Sequence, residues 1–123
     1  MNSSEFTHAR VAGGASFGEP EVFPTGLSVE PVEFRDDTGF RLPFKASRFT
    51  VVPGGCTPPD THAVAECWFV VSGDAHLVYD NQEISLRHGD IFTFAPHKTH
   101  QAFNDGDRDL VVFSTWWDVD GRP

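Results

Sequence analysis

The sequence predicts a single domain built almost entirely of β-strands. Its 123 residues fit one domain, which is large enough to bury a hydrophobic core without disulfide staples. Short runs of alternating apolar and polar residues recur along the chain, and turns rich in Gly and Pro separate them. No useful length of the sequence has the hydrophobic period of an amphipathic helix. Strands of this length and regular spacing are typical of a β-sandwich or a β-barrel.

The predicted strands lie between these turn signals. Pro31 interrupts the first long strand, which favours an edge position because proline cannot donate to a ladder. Residues 68–72 are nearly all apolar, as expected for a strand covered on both faces. The full set comprises residues 21–23, 27–34, 40–44, 46–52, 68–72, 75–79, 83–86, 91–94, a strand beginning at His100 and residues 110–117, with one of the intervening turns at 36–39.

The two ends of the chain differ in composition from its middle. Residues 1–25 are rich in Gly, Ser, Ala and Pro and are predicted to form a loosely ordered arm or an edge strand. Residues 26–118 hold the predicted β domain, and residues 119–123 form a polar tail. Neither an internal repeat nor a linker long enough for a second domain is visible.

The charge balance excludes two classes of partner. Nine Lys and Arg against eighteen Asp and Glu give a formal net charge of −9. Nucleic acids and anionic membranes both attract cationic surfaces, so neither is expected to bind here. The N-terminus lacks an apolar signal core, no segment is long enough to span a bilayer, and two cysteines do not make a disulfide framework. A cytoplasmic location with reduced thiols is therefore expected.

One stretch contains three side chains that can bind metals, Asp60, His62 and Glu66. If this stretch is extended, successive side chains alternate between faces, and all three point the same way. Trp68 and Val70 share their face. A strand face turned to water would not place these large apolar groups beside polar ones. The pattern predicts a barrel interior with a polar cluster near one end.

A second stretch complements the first. From Gly89 onwards the sequence reads as a strand, a proline-containing turn and another strand. His100 begins that last strand, and Ala102 and Asn104 lie on its face. A second imidazole is therefore available from a strand distant along the chain.

These two stretches resemble the two motifs of the cupin superfamily. The first motif is Gly, five residues, His-x-His, three or four residues, Glu, six residues and Gly. Gly54, His62, Glu66 and Gly73 fit it without a gap. Asp60 stands where the first histidine of the motif belongs.

The second cupin motif is Gly, five residues, Pro-x-Gly, two residues, His, three residues and Asn. Gly89, His100 and Asn104 fit it at the right separations. The proline is displaced by one position, to Pro96, and His97 occupies the inner glycine position. The resemblance implies an all-β, single-domain cupin jelly-roll β-barrel with a site in its mouth.

The resemblance also implies one divalent metal ion, held by His62, Glu66 and His100. Two imidazoles and a carboxylate are the ligand type of non-heme Fe(II) oxygenases, and Mn, Ni, Co or Zn also suits them. Three arrangements are open for the substituted position. Asp60 adds a second carboxylate, or it turns away and leaves a three-residue set, or His97 moves in.

The function implied is that of a metal-dependent enzyme acting on a small organic substrate, with oxygenase chemistry favoured. The first alternative is a redox-neutral isomerase, lyase or polyketide cyclase, in which Asp60 or Glu66 moves a proton. The second is a non-catalytic cupin that binds a small ligand or has lost its metal. In that case, His62 and His100 would be hydrogen-bonded core residues.

Four residues are predicted to line the substrate pocket, although the aromatic ones suit a plain core equally well: Trp68, Val70, Phe94 and Ala102. Asn104 is expected to hold the turn that follows it. Cupins commonly dimerise through edge strands, and the N-terminal arm would suit such a homodimer.

Overall fold

The computed structural model describes residues 14–35 and 39–119, and these residues form an all-β structure. Residues 36–38 of the turn predicted at 36–39, most of the predicted arm and residues 120–123 of the tail lie outside the described residues. No helix within the described ranges is long and apolar enough to cross a membrane. The strands are β1 (Ala15–Phe17), β2 (Glu21–Val22), β3 (Leu27–Phe34), β4 (Lys45–Val51), β5 (Ala65–Ser72), β6 (Ala75–Tyr79), β7 (Gln82–Leu86), β8 (Ile91–Phe94), β9 (His100–Phe103) and β10 (Leu110–Trp117).

The strands form two antiparallel sheets that share one hydrophobic core. The larger sheet has the order β1-β3-β4-β10-β5-β8, and β2 also pairs with β3. The smaller sheet has the order β7-β6-β9. Val51, Trp68 and Leu110 of the larger sheet belong to the same buried cluster as Leu77 and Ala102 of the smaller one. The sheets therefore pack on each other through their inner faces.

Strand β5 has an inner and an outer face, in contrast to the prediction that both its faces are covered. Trp68 and Val70 are buried, whereas Phe69 and Val71 are 49% and 59% exposed. Side chains of this strand alternate between the two faces as usual, but the sequence does not show the alternation because apolar residues also occupy the outer positions. No other described element of the chain covers that outer face.

Strand β3 is an interior strand, so the prediction of an edge position was wrong. It pairs with β4 on one side and with β1 and β2 on the other. Pro31 falls between the residues that pair with β2 and those that pair with β1, and its carbonyl accepts a hydrogen bond of 2.8 Å from the amide of Gly18. A proline without an N–H is tolerated there because two short strands share that side.

One predicted strand does not form. Residues 40–44 form bends and no strand. Pro43 lacks an amide hydrogen, and Phe40 is largely exposed, so the segment has little to hold it in a ladder. Part of the predicted arm forms strands: β1 lies at the edge of the larger sheet, and β2 falls within the strand predicted at residues 21–23.

Residues 54–60 lie along β9 without forming a regular strand. The amide of Thr57 donates to the carbonyl of Ala102, at 2.9 Å, and Asp60 and His100 exchange backbone hydrogen bonds of 2.9 and 3.0 Å. Asn104 secures the other end of this contact, because its carbonyl accepts from Gly54. This docking brings the start of the first motif against the second.

Asn104 also holds the turn after β9. Its buried Nδ2 donates to the carbonyls of Val51 and Arg108, at 2.8 and 2.9 Å, and its Oδ1 accepts from the amide of Gly106. Each such bond contributes about 1 kcal/mol, and losing the side chain would also leave buried backbone groups unpaired. The turn-holding role expected of Asn104 agrees with these contacts.

His76 links three elements on the outside of the smaller sheet. Its Nε2 donates to Oε1 of Glu83 on β7 at 2.8 Å, and its Nδ1 donates to Oδ2 of Asp105 at 3.2 Å. Both bonds need a hydrogen on each ring nitrogen, which only the imidazolium has. The hydrogen bonds to Glu83 and Asp105 therefore raise the pKa of His76 above its ordinary value of 6.5.

We expect His76→Gln to lower stability most on the acid side of neutrality. A raised pKa in the folded state means that the stabilisation is complete below pH 6.5 and is lost as the pH rises through the folded-state pKa. Urea unfolding of both proteins at pH 6, 7.5 and 9 measures the difference in free energy. A His76→Gln difference that is constant with pH would contradict the assignment.

Candidate metal centre

His62 is oriented by the backbone just before β5. Its Nδ1 donates to the carbonyl of Val64 at 2.9 Å, and its Nε2 lies 2.9 Å from Oε1 of Glu66. Burial lowers the pKa of His62, but the hydrogen bond and charge of Glu66 and the Val64 carbonyl outweigh it, so the pKa is raised above 6.5. A proton on Nε2 thus occupies the position from which this nitrogen would bind a cation.

Glu66 on β5 is held on both of its oxygens. Oε2 accepts hydrogen bonds from Nε1 of Trp68 at 2.7 Å and from Oγ of Ser114 at 2.5 Å. Burial raises the pKa of Glu66, but hydrogen bonds from His100, Ser114 and Trp68 outweigh it and lower the pKa to about 2. The carboxylate is therefore ionised, and its Oε1 faces the imidazoles.

His100 enters the site from the smaller sheet. It is 4% exposed, and its Nε2 lies 3.3 Å from Oε1 of Glu66. Its ring packs against Phe94 and Trp68, with centroid separations of 4.6 and 5.6 Å. Its buried Nδ1 has no hydrogen-bond partner among the described residues, so no second contact fixes its tautomer.

Asp60 approaches the two imidazoles from the docked segment. Its Oδ2 lies 4.0 Å from Nε2 of His62, and its side chain is 59% exposed. One ligand atom from each of Asp60, His62 and His100 lies within 4.8 Å of the other two. Of the three arrangements considered from the sequence, the structure places Asp60 beside the cluster.

His97 lies in the turn between β8 and β9, and its side chain is exposed. Its amide donates to the carbonyl of His62 at 2.7 Å, so this turn supports the site through its backbone. The φ angle of His97 is 67°, in the left-handed region that favours glycine. This is the position of the inner glycine in the second motif, and glycine adopts such a φ angle without strain.

The four side chains suit a divalent cation. Two imidazole nitrogens and two carboxylate groups form a mixed nitrogen and oxygen set that first-row metals and harder ions accept. The Nδ1–H of His62 bonds a carbonyl and Oε2 of Glu66 accepts two donors, which is the outer-shell support that metal ligands commonly have. Nε2 of both imidazoles and Oε1 of Glu66 remain to face an ion.

A cavity of about 220 Å³ adjoins this cluster, and only one of the four predicted pocket residues lines it. Trp68 is in its wall, whereas Val70, Phe94 and Ala102 are fully buried in the hydrophobic core. Their side chains pack against the core and do not reach this cavity. The lining residues are Phe23, Leu27, Val29, Ser47, Phe49, Thr57, Pro58, Asp60, Glu66, Trp68 and His100.

Sequence reasoning missed the part of the wall that comes from β3 and β4. Leu27 and Val29 alternate with polar residues along β3, and Ser47 and Phe49 lie on the inner face of β4. The alternation of apolar and polar residues predicts which side chains of these strands point inwards. It could not identify which of them border a cavity, because that depends on how the two sheets pack against each other.

Comparison with known proteins supports the same fold. The model of the family described as "Cupin domain" matches residues 47–116, more than half of the chain. A Cupin 2 conserved barrel domain protein from Salinispora arenicola is 26% identical, with a TM-score of 0.67, and the match covers 77% of this chain and 78% of that one.

Two other solved structures are similar at lower identity. A predicted oxalate decarboxylase from Thermotoga maritima is 16% identical, with a TM-score of 0.71 and coverage of 89% of this chain and 100% of that one. An oxalate oxidase is 21% identical, with a TM-score of 0.65 and coverage of 78% and 53%. At these identities the likeness shows the fold alone. Taken with the family match over both motifs, the two-sheet architecture establishes that this chain belongs to the cupin family.

Proposed function

We propose that this chain is a metal-dependent enzyme that acts on a small organic substrate. The observation that carries the proposal is the convergence of three ligand groups next to a cavity, one from each sheet and one from the segment before β5. Nε2 of His62 and Nε2 of His100 lie 2.9 and 3.3 Å from the same oxygen of Glu66. Asp60 supplies a fourth group from the docked segment. We assign one divalent ion to these four residues.

Oxygenase chemistry with Fe(II) is the specific reaction class proposed. Two imidazoles with carboxylate oxygen are the ligand type of non-heme iron oxygenases, and Mn, Ni, Co or Zn are the alternative ions. When bound, such an ion supplies open positions at which a substrate oxygen and dioxygen are brought together. The protein is proposed to act in the cytoplasm, and its net charge of −9 supports a diffusible substrate rather than nucleic acid or membrane.

The protein's own residues prepare this site in three ways. Trp68 and Ser114 hold Glu66 ionised and aim its Oε1 at the imidazoles. The carbonyl of Val64 fixes the ring of His62. Trp68 and Phe94 pack against His100, which restricts water on that side of the site.

A redox-neutral reaction is the second candidate, and the placement of Asp60 favours it. Within the described residues, its carboxylate has one polar contact, with His62 at 4.0 Å. It also lines the cavity. A carboxylate that is largely unpartnered and faces a substrate cavity can accept a proton from a bound carbonyl compound. Isomerases, lyases and polyketide cyclases use such a step.

Metal analysis tests the proposal directly. Protein purified without chelators should contain about one equivalent of a divalent transition metal by mass spectrometry. His62→Ala and His100→Ala should lose it and keep the fold, since each removes one nitrogen ligand. His97→Ala, an exposed histidine of the neighbouring turn, is the matched control and should retain the metal. Stoichiometric metal in His100→Ala would refute the ligand set.

Ser114→Ala should weaken metal binding without abolishing it. The hydroxyl is one of two donors to Oε2 of Glu66, and loss of an outer-shell partner typically lowers metal affinity by about 10- to 100-fold. Competition with a chromogenic chelator measures the affinity. Thr115→Ala, on the opposite face of β10, should bind metal as the wild type does. Equal affinity of the Ser114→Ala and wild-type proteins would show that this contact does not support the ligand.

Oxygen consumption separates the two reaction classes. Iron-loaded protein should consume dioxygen in step with the loss of a phenol or thiol substrate. Turnover without oxygen uptake would instead support the redox-neutral reaction. In that case Asp60→Asn should lower kcat by about 10²- to 10⁴-fold. A protein that binds metal but converts no substrate across such a panel would be a binding module.

A further inference from the structure

The cavity beside the metal centre has apolar walls and contains no cationic side chain. Among the described residues that line it, none is Lys or Arg, and Asp60 and Glu66 are the only acidic groups. The greater part of the wall is apolar, with three aromatic rings, those of Phe23, Phe49 and Trp68. A ligand that enters this space therefore leaves water without gaining an ion-pair partner from the wall.

The metal centre does not supply the missing positive charge. Asp60 and Glu66 together cancel the charge of a divalent ion, so the filled centre would be neutral. A substrate carboxylate would then add an uncompensated negative charge to an apolar cavity, which is costly because buried charges need partners. A neutral molecule avoids this cost.

One polar group in the wall is free to bind such a molecule. Ser47 is 7% exposed, and its hydroxyl makes no hydrogen bond with any other described residue. The other wall hydroxyl, on Thr57, already accepts from the amide of Ala102 at 2.9 Å. Ser47 can donate to or accept from one oxygen of a bound ligand.

The size and shape of the cavity indicate a single ring. A cavity of roughly 150 Å³ in another protein binds benzene, and this one measures about 220 Å³. Phe49 and Trp68 pack edge to face, with ring centroids 5.0 Å apart. A ligand ring in the cavity can make the same kind of edge-to-face contact with them. The extra volume leaves room for a short substituent.

We infer that the site takes an uncharged, mostly apolar substrate of about one substituted ring, with a hydroxyl or carbonyl oxygen directed at Ser47 and the metal centre. This inference rests on the proposed function, because it assigns the substrate class of the same site. It excludes small dicarboxylates and aromatic acids as substrates of this chain.

Matched ligands of equal size and different charge test the inference. Benzyl alcohol and benzoate differ mainly in the carboxylate, and binding of each to zinc-loaded protein is measured by NMR titration in the millimolar range. Benzyl alcohol should bind at least about tenfold more tightly than benzoate, and oxalate should not bind. Benzoate binding as tightly as benzyl alcohol, or no binding of either, would overturn the inference.

Two cavity variants locate the binding. Val29→Trp fills the cavity and should abolish benzyl alcohol binding, whereas Val71→Trp on the exposed outer face of β5 should leave it unchanged. Ser47→Ala should weaken benzyl alcohol binding about three- to tenfold and leave toluene binding unaffected. Benzyl alcohol binding that survives Val29→Trp would place the ligand elsewhere and refute the assignment.

The same titrations without metal separate the two proposals. If the protein takes up no metal but still prefers benzyl alcohol over benzoate, the proposed function fails and the substrate class stands. If it takes up one metal equivalent but prefers benzoate, the substrate class fails and the proposed function stands.

Discussion

The structure of the site depends on the contacts that both carboxylate oxygens of Glu66 make. Trp68 and Ser114 occupy one carboxylate oxygen, and His62 and His100 face the other. Hydrogen bonds to a buried carboxylate favour its charged form, and this is why the pKa of Glu66 falls to about 2 despite burial. An ionised carboxylate oxygen between two imidazoles attracts a positive species. The fold thus fixes the position of this oxygen, and the same oxygen is the proposed metal ligand.

Residues from both sheets make these contacts to Glu66. Glu66, Trp68 and Ser114 belong to neighbouring strands of the larger sheet, whereas His100 begins a strand of the smaller one. The docking of residues 54–60 along β9 supplies the connection, because it carries Asp60 to the backbone of His100. The backbone hydrogen bonds that stabilise the fold therefore also bring the proposed metal ligands together.

Sequence patterns predicted the strands well where turns and alternation coincide, and less well elsewhere. The pattern at 27–34 and 110–117 matches β3 and β10 to the residue. The segment at 40–44 failed because alternation alone does not supply a partner strand. The predicted edge position of the strand with Pro31 and the predicted burial of both faces at residues 68–72 were wrong for the same reason. Whether a strand lies at an edge, or has one face uncovered, depends on neighbours that are remote in sequence.

The sequence by itself determined the family and the candidate metal ligands, because motif spacing and side-chain chemistry are local properties. It did not determine how those residues meet. The predicted shared face of Asp60 and His62 assumed an extended stretch, but β5 begins only at Ala65, and the two residues converge through an irregular segment held by β9. The cavity wall likewise comes from Leu27, Val29 and Phe49 rather than from Val70, Phe94 and Ala102. Only the packing of the two sheets decides which inward side chains meet a void and which meet one another.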